Sequence, residues 1–453
     1  MKTLLVNPQL KKYQQPSLPP LGLLSIAAVL EKEGQKVDLL DLNVEPKALK
    51  NYKEKPDLVG ITATTPLVKE AWNLTKYFRK KRIPVILGGP HPSALPEESL
   101  KYADIVIRNE GELTMKKLCE NWDKKEKVIG ISYKKNGKII HNPPRPLIKN
   151  LDELPFPAYH LLPDISLYST PQPVVTQKKR CLTLVTSRGC PYQCNYCFKG
   201  VFGPVWRPHS AEYIVRLWKY LVSDFGVEEI GVQDDNFNFD YDRARRIVDG
   251  LIKEKINIPW TTAQGIRADK VDLPLLSKMK KSGFFRTGFG IEAGSQEMIY
   301  KIGKGLKLEK AEKAIKICKK LGIESIGYFI IGNAYDNTKT MEETINLAIK
   351  LDPDIAHFTI AVPLPSTPLY KLIEKEGKFL IKDWNLYGYT RGLCYFEVGE
   401  LKKELVETMY RRAYRRFYLR PKVVKRILTK KSTWLRIPEV ARASVHYLGG
   451  RNG

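Results

Sequence analysis

The sequence lacks an apolar stretch long enough to span a bilayer, which takes about 18 residues, and its first apolar run, Leu4-Leu5-Val6, is too short for a signal peptide. We therefore expect a cytoplasmic protein. Cysteines are also scarce, with seven in 453 residues. We expect four of them to be isolated, reduced, buried thiols: Cys119, Cys181, Cys318 and Cys394.

Acidic side chains are in short supply as well. Asp and Glu total 49 against 76 Lys and Arg, which gives a net charge of +27. A surplus of this size favours an anionic partner or surface, such as nucleic acid, a phosphate-bearing cofactor or anionic lipid. A lysine-rich thermophile surface would raise both signs of charge, but not the imbalance. The length predicts about three domains.

The other three cysteines lie close together, at Cys190, Cys194 and Cys197. Three ligands are an awkward set for structural zinc, which takes four. They suit a [4Fe–4S] cluster in which one iron stays open to bind and activate a small molecule. Gly189 and Pro191 fit a tight loop around such a cluster. A structural zinc or redox cluster is the alternative, and it is disfavoured because no fourth cysteine lies nearby.

This Cys-x-x-x-Cys-x-x-Cys run, with an aromatic residue before the last cysteine, resembles the signature of the radical S-adenosylmethionine (SAM) superfamily. The resemblance implies that the amino and carboxylate groups of SAM chelate the open iron. It also implies that an electron from the cluster cleaves SAM to methionine and a 5′-deoxyadenosyl radical.

Short apolar runs alternate with helical patterns from Lys2 to about Trp122 and predict a doubly wound, Rossmann-like parallel sheet. The predicted strands are Leu4–Asn7, Val37–Leu40, Leu58–Thr62, Pro84–Leu87 and Ile105–Ile107. In such a sheet the ligand lies beyond the carboxyl ends of the strands. The loops that follow these strands are therefore candidate binding loops.

The order of these loops, with Gly88-Gly89-Pro90-His91 before a short helix and Glu110-Gly111-Glu112 after it, resembles the cobalamin-binding domain that precedes many radical SAM domains. The sequence has no Asp-x-His-x-x-Gly motif, so the resemblance implies no histidine ligand below the cobalt. The contacts that we assign to cobalamin are Thr64, Gly88, Gly89, His91 and Glu110.

Six strand–loop–helix units between Cys181 and Val362 predict a partial (β/α)6, TIM-like barrel with its chemistry at the carboxyl ends of the strands. The chain is thus predicted to be an α/β protein in four segments. These are a cobalamin-binding domain (1–142), a proline-rich linker (143–180), the radical SAM barrel (181–385) and a basic helical region (386–453).

Polar residues at the ends of the barrel strands are candidates to bind SAM. Glu292, Asp234 and Asp235 offer acceptors for its ammonium and hydroxyl groups, and the Arg267 guanidinium matches its carboxylate. Tyr196 resembles the family aromatic whose backbone edge meets adenine, and Gly332 would let a strand approach the base. A residue that acts on the substrate is not identified, because nothing in the spacing distinguishes Tyr335, His357 or Tyr370.

The tail beyond Leu401 is basic and has helical periodicity. One face is apolar, and the other carries arginines, including Arg411, Arg412, Arg415 and Arg416. A basic amphipathic helix of this kind can lie on an anionic membrane surface. The alternative is that the apolar face packs on the barrel and the arginines are only solvated.

The tail, with Phe417-Tyr418-Leu419-Arg420-Pro421, resembles those of the branch that contains the anaerobic magnesium-protoporphyrin ester cyclase and the hopanoid- and tetraether-lipid-modifying enzymes. The resemblance implies a cobalamin-dependent radical SAM enzyme acting on a hydrophobic or lipid-like substrate, most simply as a methyltransferase, supplied with electrons by a ferredoxin or flavodoxin. An oxidative cyclase is the runner-up. A tRNA methylthiotransferase would need more amino-terminal cysteines, and a non-catalytic corrinoid protein would leave the cysteine loop unexplained. We therefore do not favour a nucleic-acid partner.

Overall fold

The chain folds around two large β-sheets. The computed structural model describes residues 1–9, 17–169, 178–389 and 392–429. It divides into two compact units, one of Met1–Pro191, Phe198–Thr287 and Asp383–Tyr387 and the other of Tyr192–Cys197, Gly288–Lys382 and Gly388–Gly453. The bounds of these two compact units differ from those of the four predicted segments. A division into compact units does not test the four segments, whose boundaries stay predictions.

The first sheet has seven strands in the order β2-β1-β3-β4-β5-β6-β7. Strands β1 to β5 pair in parallel, and the hairpin β6–β7 continues the sheet in antiparallel pairing. The strands are β1 (Lys2–Asn7), β2 (Lys36–Asp41), β3 (Leu58–Thr62), β4 (Val85–Gly88), β5 (Ile105–Ile107), β6 (Ile131–Lys135) and β7 (Lys138–His141). The predicted parallel sheet is confirmed, with strand ends within two residues of those expected.

Helices cover both faces of this sheet because its strands are apolar on both sides. They are α1 (Leu21–Lys32), α2 (Ala48–Asn51), α3 (Val68–Lys80), α4 (Pro90–Ala94), α5 (Pro96–Ser99) and α6 (Glu112–Glu120). One face of the sheet packs on α3 through Trp72 and Phe78, and the other packs on α1 and α6 through Ala27, Leu30 and Leu118. This double layer is the arrangement expected of alternating strands and helices.

The second sheet contains the six predicted barrel strands in the order β15-β14-β13-β12-β11-β8. Together with a two-residue ladder, the strands of this region are β8 (Cys181–Leu184), β9 (Ser187–Arg188), β10 (Arg207–Pro208), β11 (Glu229–Val232), β12 (Trp260–Ile266), β13 (Phe284–Glu292), β14 (Glu324–Ile331) and β15 (Ile355–Ile360). The intervening helices are α7 (Ala211–Phe225), α8 (Tyr241–Lys253), α9 (Leu273–Lys281), α10 (Gln296–Lys301), α11 (Leu308–Leu321), α12 (Thr338–Leu351) and α13 (Pro368–Glu376). Six strands separated by helices confirm the predicted fold of this part.

The basic tail packs against the last barrel strand. After a small hairpin, β16 (Gly377–Phe379) and β17 (Phe396–Val398), come α14 (Lys403–Tyr418) and α15 (Pro421–Thr429). The apolar stripe of α14 is buried, and the Tyr414 and Tyr418 hydroxyls donate to the carbonyl oxygens of Phe358 and Ala356 on β15 at 3.0 and 2.9 Å. The alternative in which the stripe packs on the barrel is therefore the one observed. The rest of the predicted basic region, 430–453, lies outside the described residues.

The proline-rich connector is packed rather than free. Ile148, Leu151 and Leu154 form a small buried cluster with Val29 of α1. Tyr159 is buried, and its hydroxyl donates to the Thr183 carbonyl oxygen at 2.8 Å. The described part of this segment thus belongs to the core of the first unit. In the described part of the chain, none of the helices has the length and hydropathy that crossing a bilayer requires.

Candidate cofactor site

The cysteine loop leaves β9 through a tight turn at Gly189. This glycine has φ of +82°, and a Cβ atom there would lie 2.2 Å from the Val205 carbonyl oxygen. No side chain fits at that distance, so the position requires glycine. The predicted tight turn is thus present immediately before the first cysteine of the motif.

Two acidic residues after β11 hold the segment that leads into this loop. Asp234 is 4% exposed and accepts hydrogen bonds from the backbone N–H and hydroxyl of Thr186 and from the Ser187 hydroxyl. Asp235 accepts from the Gly189 N–H at 3.0 Å. Burial raises the pKa of Asp234, although the Arg243 charge and these hydrogen bonds act against the rise. Both carboxylates support the loop, and their predicted contact with SAM stays a prediction.

The cysteines of the chain differ in accessibility. Cys190 and Cys194 are half-buried and Cys197 is exposed, whereas Cys181, Cys318 and Cys394 are buried as expected. Cys119 is half-buried, so the expectation that it is a buried thiol is wrong. Burial raises the pKa of Cys318 to about 12 and that of Cys394 to about 11, so both stay protonated. Accessible thiols can lose a proton and bind iron, which the buried ones cannot do. In the described chain, no three His, Cys, Asp or Glu side chains converge as the ligands of a single ion would. A cubane cluster makes no such demand, because its thiolates bind different iron atoms.

The part of the loop that carries the last two cysteines is anchored through its backbone. The Asn195 N–H donates to the Ile302 carbonyl oxygen at 3.0 Å, and the Asn195 carbonyl oxygen accepts from the Leu369 N–H at 2.9 Å. Gly303 has φ of +70°, and a Cβ atom there would lie 2.3 Å from the Gln193 carbonyl oxygen. This close backbone approach holds residues 192–197 against the second unit.

Tyr196 lies near the carboxylate of Glu292 in the same unit. Burial, the Glu292 charge and the charges of Cys194 and Cys197 together raise the pKa of Tyr196. Glu292 is 8% exposed, has φ of +71° and pairs through Oε1 with Lys304 Nζ at 2.8 Å. The structure thus brings Tyr196 and Glu292 together, and the contact of each with SAM stays a prediction.

Tyr389 was missed by the sequence reasoning. Desolvation of the hydroxyl, followed by the negative charges of Cys197 and Glu292, raises the pKa of Tyr389, although the residue as a whole is 47% exposed. The two charges place it in the same neighbourhood. No motif precedes it, and it stands in an irregular stretch after the barrel. Only the folded chain reveals this neighbour.

Two other predicted SAM contacts already have partners within the protein. The Arg267 guanidinium makes a bidentate pair with Asp269, at 2.8 Å from Nε and 2.7 Å from Nη2. Gly332 has φ of +76°, and a Cβ atom there would lie 2.6 Å from a methyl group of Val406 in α14. The glycine is therefore needed for the approach of α14. No observation tests a contact with SAM at either residue.

Three buried asparagine amides have unpaired polar atoms. These are Asn236 after β11, Asn333 after β14 and Asn195 in the cysteine loop, which are 2%, 3% and 8% exposed. Neither polar atom of any of the three amides has a hydrogen-bond partner in the described chain. Leaving such a group unpaired costs about 1–3 kcal/mol, so these amides suit a polar ligand. Their position directly after a strand is the signal that could have identified Asn236 and Asn333.

The three side chains considered for substrate chemistry lie in different settings. His357 is on β15 beside Tyr328 of β14, with ring centroids 5.7 Å apart. Burial lowers the His357 pKa to about 4, so its ring is neutral at pH 7, and its Nδ1 has no partner. Tyr335 is exposed, and Tyr370 packs on Phe379. The structure assigns none of them a catalytic role.

His91 is enclosed within the first unit. It has no exposed surface; its Nδ1 lies 3.3 Å from Thr65 Oγ1, and its Nε2 lies 3.0 Å from Glu98 Oε2. The indole of Trp384 packs edge-on against it at 5.2 Å and donates to Glu98 Oε1 at 3.1 Å. As placed, His91 has no surface for a corrin, so its predicted contact is without support.

The remaining predicted cobalamin contacts lie at the carboxyl edge of the first sheet. Thr64 is exposed and Gly88 is half-buried. Gly89 has φ of +95°, and a Cβ atom there would lie 2.9 Å from Thr62 Oγ1, so the turn itself requires glycine. The Gly88 carbonyl oxygen already accepts from the Ala63 N–H at 2.9 Å. Of these residues, the exposed Thr64 is the one whose polar groups a ligand can most readily reach.

Glu110 belongs to a buried network of four charged side chains. Its Oε1 lies 2.9 Å from Arg188 Nη1, and its Oε2 lies 3.0 Å from Arg207 Nη1. Arg188 Nη2 lies 2.6 Å from Glu112 Oε1, which also accepts from the Ser25 hydroxyl at 2.8 Å. Burial alone would raise the pKa of Glu112, but the Arg188 charge and the hydrogen bonds from Arg188, the backbone and Ser25 together outweigh burial and hold the pKa below its ordinary value. The Glu110 carboxylate is thus occupied within the protein.

Two family models match the chain. The B12 binding domain model matches residues 15–119, and the Radical SAM superfamily model matches residues 184–348. Among curated proteins, an uncharacterized methyltransferase of Pyrococcus horikoshii is 35% identical over 442 residues, which cover 94% of each chain. The cytidylyl-2-hydroxyethylphosphonate methyltransferase of Streptomyces wedmorensis is 29% identical, covering 86% of this chain and 84% of the relative. The anaerobic magnesium-protoporphyrin IX monomethyl ester cyclase of Rubrivivax gelatinosus is 26% identical, covering 88% and 74%.

Solved structures share the fold over most of the chain. The cobalamin-dependent SAM radical enzyme OxsB, with aqua-cobalamin bound, superposes with a TM-score of 0.75 at 18% identity, covering 98% of this chain and 76% of that one. The radical SAM methyltransferase TsrM of Kitasatospora setae, with cobalamin and a [4Fe-4S] cluster bound, gives 0.68 at 18% identity, covering 83% and 78%. At this identity, the likeness establishes the fold.

Proposed function

The chain belongs to the cobalamin-dependent radical SAM family, which includes methyltransferases and cyclases, and from that premise we propose that it transfers a methyl group to an unactivated carbon of a hydrophobic or lipid-like substrate. The observation that carries the proposal is 35% identity to a methyltransferase over 94% of both chains. The accessible three-cysteine loop supports it independently, because it offers the thiols that such chemistry needs.

The residues present fit the three cofactors of the family. Cys190, Cys194 and Cys197 would hold the cluster, since they are the accessible thiols of the motif. Glu292 and the unpaired amide of Asn333, both in the second unit, offer acceptors and donors to SAM. Thr64 would meet cobalamin at the edge of the first sheet.

When bound, these groups supply reductive cleavage of SAM to a 5′-deoxyadenosyl radical and a carrier for the methyl group, with SAM as the source of both radical and methyl. The protein's own residues position the cofactors and shield the site from solvent. Asp234 and Asp235 fix the segment before Cys190, and the Glu292–Lys304 pair keeps a carboxylate in place beside Tyr196. Reaction also requires an external one-electron reductant, for which ferredoxin or flavodoxin is suited.

Anaerobic incubation tests the proposal. Reconstituted protein would be incubated with SAM, titanium(III) citrate, methylcobalamin and a lipid extract of the source cells, and the products measured by mass spectrometry. Formation of both 5′-deoxyadenosine and S-adenosylhomocysteine, with a methylated product, is the expected result. A Cys197→Ala protein is the control and should give no deoxyadenosine. Absence of deoxyadenosine from the wild type would overturn the catalytic assignment.

A cyclase is the second candidate, favoured by 26% identity to the magnesium-protoporphyrin ester cyclase over 88% of the chain. The same hydrogen abstraction would then lead to ring closure or oxidation. In the incubation above, deoxyadenosine without S-adenosylhomocysteine would select the cyclase over the methyltransferase.

We also propose that the protein is cytoplasmic and touches the membrane surface through α15. This helix exposes Val424 and Leu428, at 39% and 52%, next to the basic Lys422 and Lys425, and Leu419 just before it is 60% exposed. An exposed apolar strip flanked by lysines suits anionic lipid.

Co-sedimentation with vesicles tests this membrane proposal. Vesicles of phosphatidylglycerol and phosphatidylcholine should bind the protein, pure phosphatidylcholine should not, and Val424→Ser/Leu428→Ser should weaken binding. Equal recovery of the wild-type protein with both vesicle types would contradict the proposal.

A further inference from the structure

We propose that Arg188 is a positioning residue that ties the cysteine loop to the β5–α6 connection of the B12-binding domain. The inference rests on the proposed function, because it concerns the relation between the cluster loop and the domain expected to bind cobalamin. Arg188 stands two residues before Cys190, and both of its carboxylate partners, Glu110 and Glu112, lie between β5 and the start of α6.

The geometry of these two ion pairs fixes the orientation of the Arg188 side chain. One guanidinium nitrogen of Arg188 meets Glu110 at 2.9 Å and the other meets Glu112 at 2.6 Å, so the planar group spans two residues of one connection. Because each terminal nitrogen of the guanidinium has its own carboxylate partner, both the position and the orientation of the guanidinium plane are fixed. A lysine ammonium can also pair with two carboxylates, as Lys2 does with Asp38 and Glu54, but it lacks the rigid planar fork that fixes their relative positions.

Glu110 also offsets the repulsion between two arginines that lie close together. Arg188 and Arg207 lie directly opposite each other in the antiparallel β9–β10 ladder. Side chains at opposite positions share a face, where two cations repel. Both oxygens of Glu110 are occupied, Oε1 by Arg188 and Arg207 and Oε2 by Arg207 and the Ile148 N–H. The pairing of β9 with β10, which lies just before the cysteine loop, therefore depends on the Glu110 carboxylate.

The network is a poor source of stability, which points to position as its role. All four charged residues are at most 7% exposed, and the cost of removing such charges from water largely cancels their attraction. An apolar cluster would hold the same elements together at least as well. A fully paired ionic cluster instead tolerates one arrangement only.

The loop is held from the barrel side as well. The Gly189 N–H donates to Asp235 at 3.0 Å, and the Ser187 hydroxyl donates to Asp234 at 2.6 Å. The backbone from 187 to 190 is thus fixed by the end of β11 and by the β5–α6 connection together. Loss of the Arg188 link should free the loop relative to the first sheet while the barrel contacts remain.

The variant that tests this is Arg188→Lys, which keeps the charge and loses the fork, with the exposed Arg246→Lys as the matched control. Hydrogen exchange of the protein without cofactors should be about tenfold faster in peptides spanning 187–200, as expected for the loss of one charge-assisted hydrogen bond. Exchange in α7 should be unchanged. Iron and cobalamin contents after reconstitution with iron, sulfide and hydroxocobalamin should match the wild type.

A second readout follows the two products of SAM. Deoxyadenosine formation depends on the cluster loop alone, whereas S-adenosylhomocysteine formation with bound hydroxocobalamin and titanium(III) citrate depends also on how the loop faces the first domain. Arg188→Lys should lower the ratio of S-adenosylhomocysteine to deoxyadenosine, and Arg246→Lys should leave it unchanged. A merely structural role would lower both products together.

The outcomes separate the two proposals. Failure of the wild type to take up iron or cobalamin would count against the proposed function. Normal uptake, with loop exchange and product ratio the same in Arg188→Lys as in the wild type, would overturn the positioning role. Should Arg188→Lys not fold, Glu112→Gln, which removes one carboxylate and keeps Arg188 paired with Glu110, is judged by the same two readouts.

Discussion

Glu292 Oε1 lies 2.8 Å from Lys304 Nζ, and the paired carboxylate sits at the end of β13 with a left-handed backbone conformation. A non-glycine residue with positive φ is a strained arrangement that tends to persist where the surroundings require it. The side chain is nearly buried and faces Tyr196 of the cysteine loop closely enough to affect its pKa. These features make Glu292 the strongest of the predicted SAM contacts.

Glu292→Gln should weaken SAM binding at least about tenfold, because a charge-assisted hydrogen bond to the SAM ammonium is worth about 1.5–3 kcal/mol. Isothermal titration of the reconstituted protein with SAM measures the affinity. Glu297→Gln is the control, since Glu297 pairs with Lys301 on the surface of α10. Unchanged SAM affinity in Glu292→Gln would show that the SAM contact is elsewhere.

Replacing any one of Cys190, Cys194 or Cys197 by alanine should remove most of the iron and the sulfide from the reconstituted protein, since three thiolates are the minimum that holds a cubane with one open iron. Iron and sulfide analysis measures this loss. Cys318→Ala provides the control, because this buried thiol has its pKa raised to about 12 and stays protonated. Full iron content in all three loop variants would contradict the cluster assignment.

Asp336→Asn should stabilise the protein at pH 8 more than at pH 5. Burial raises the Asp336 pKa from 3.8 to about 6, although the Thr340 hydroxyl and the Asn333 N–H donate to it. A carboxyl group with a raised folded-state pKa adds its stability at low pH and loses it as the pH rises through 6. The full loss, from below pH 3.8 to well above pH 6, is about 3 kcal/mol, and about 1.4 kcal/mol of it falls between pH 5 and pH 8. Because asparagine does not ionise, the Asp336→Asn variant does not lose this stability as the pH rises.

Thermal unfolding of Asp336→Asn at the two pH values measures the effect. The exposed Asp249→Asn is the comparison, and it should show no difference in the pH dependence. Equal shifts of Tm for Asp336→Asn at pH 5 and pH 8 would argue against the raised pKa.

Phe417→Ala should destabilise the fold by about 3–5 kcal/mol, because it empties a fully buried site against Phe358 of β15. Urea unfolding measures the change. Leu419→Ala, at a 60% exposed position two residues further along, is expected to change the stability by less than about 0.5 kcal/mol. A stable Phe417→Ala protein that has lost only vesicle binding would instead make the stripe of α14 a lipid-facing surface.

Much of the fold was predictable because hydrophobic periodicity and the residues that end a strand can be recognised in short stretches of sequence. The five predicted strands of the first sheet lie within two residues of their expected ends, and the six predicted barrel strands are all present, since most of them are short apolar runs. The helix Pro90–Ala94 was missed. Its two prolines and its glycine neighbours indicate a loop in the sequence, whereas tertiary contacts complete the turn.

The site was less predictable, because the use that a polar side chain finds depends on the rest of the fold. Glu110 and His91 both follow strand ends, as a ligand contact would, yet one is occupied by two arginines and the other by Glu98 and Trp384. Apart from Glu98, which is seven residues from His91, those partners are remote in sequence. Spacing alone gives no means of telling a residue that awaits a ligand from one that already has a partner.

The packing of Trp384 on His91 has a consequence for synthesis of the protein. Trp384 and Glu98 are separated by 286 positions in the chain, and ribosomes add about 5–20 residues per second. The first sheet therefore emerges and collapses with the His91 side uncovered for roughly 15 to 60 seconds. During that interval the uncovered aromatic surface is a natural binding place for a chaperone, and a ribosome stalled before residue 384 would leave the nascent chain in that state.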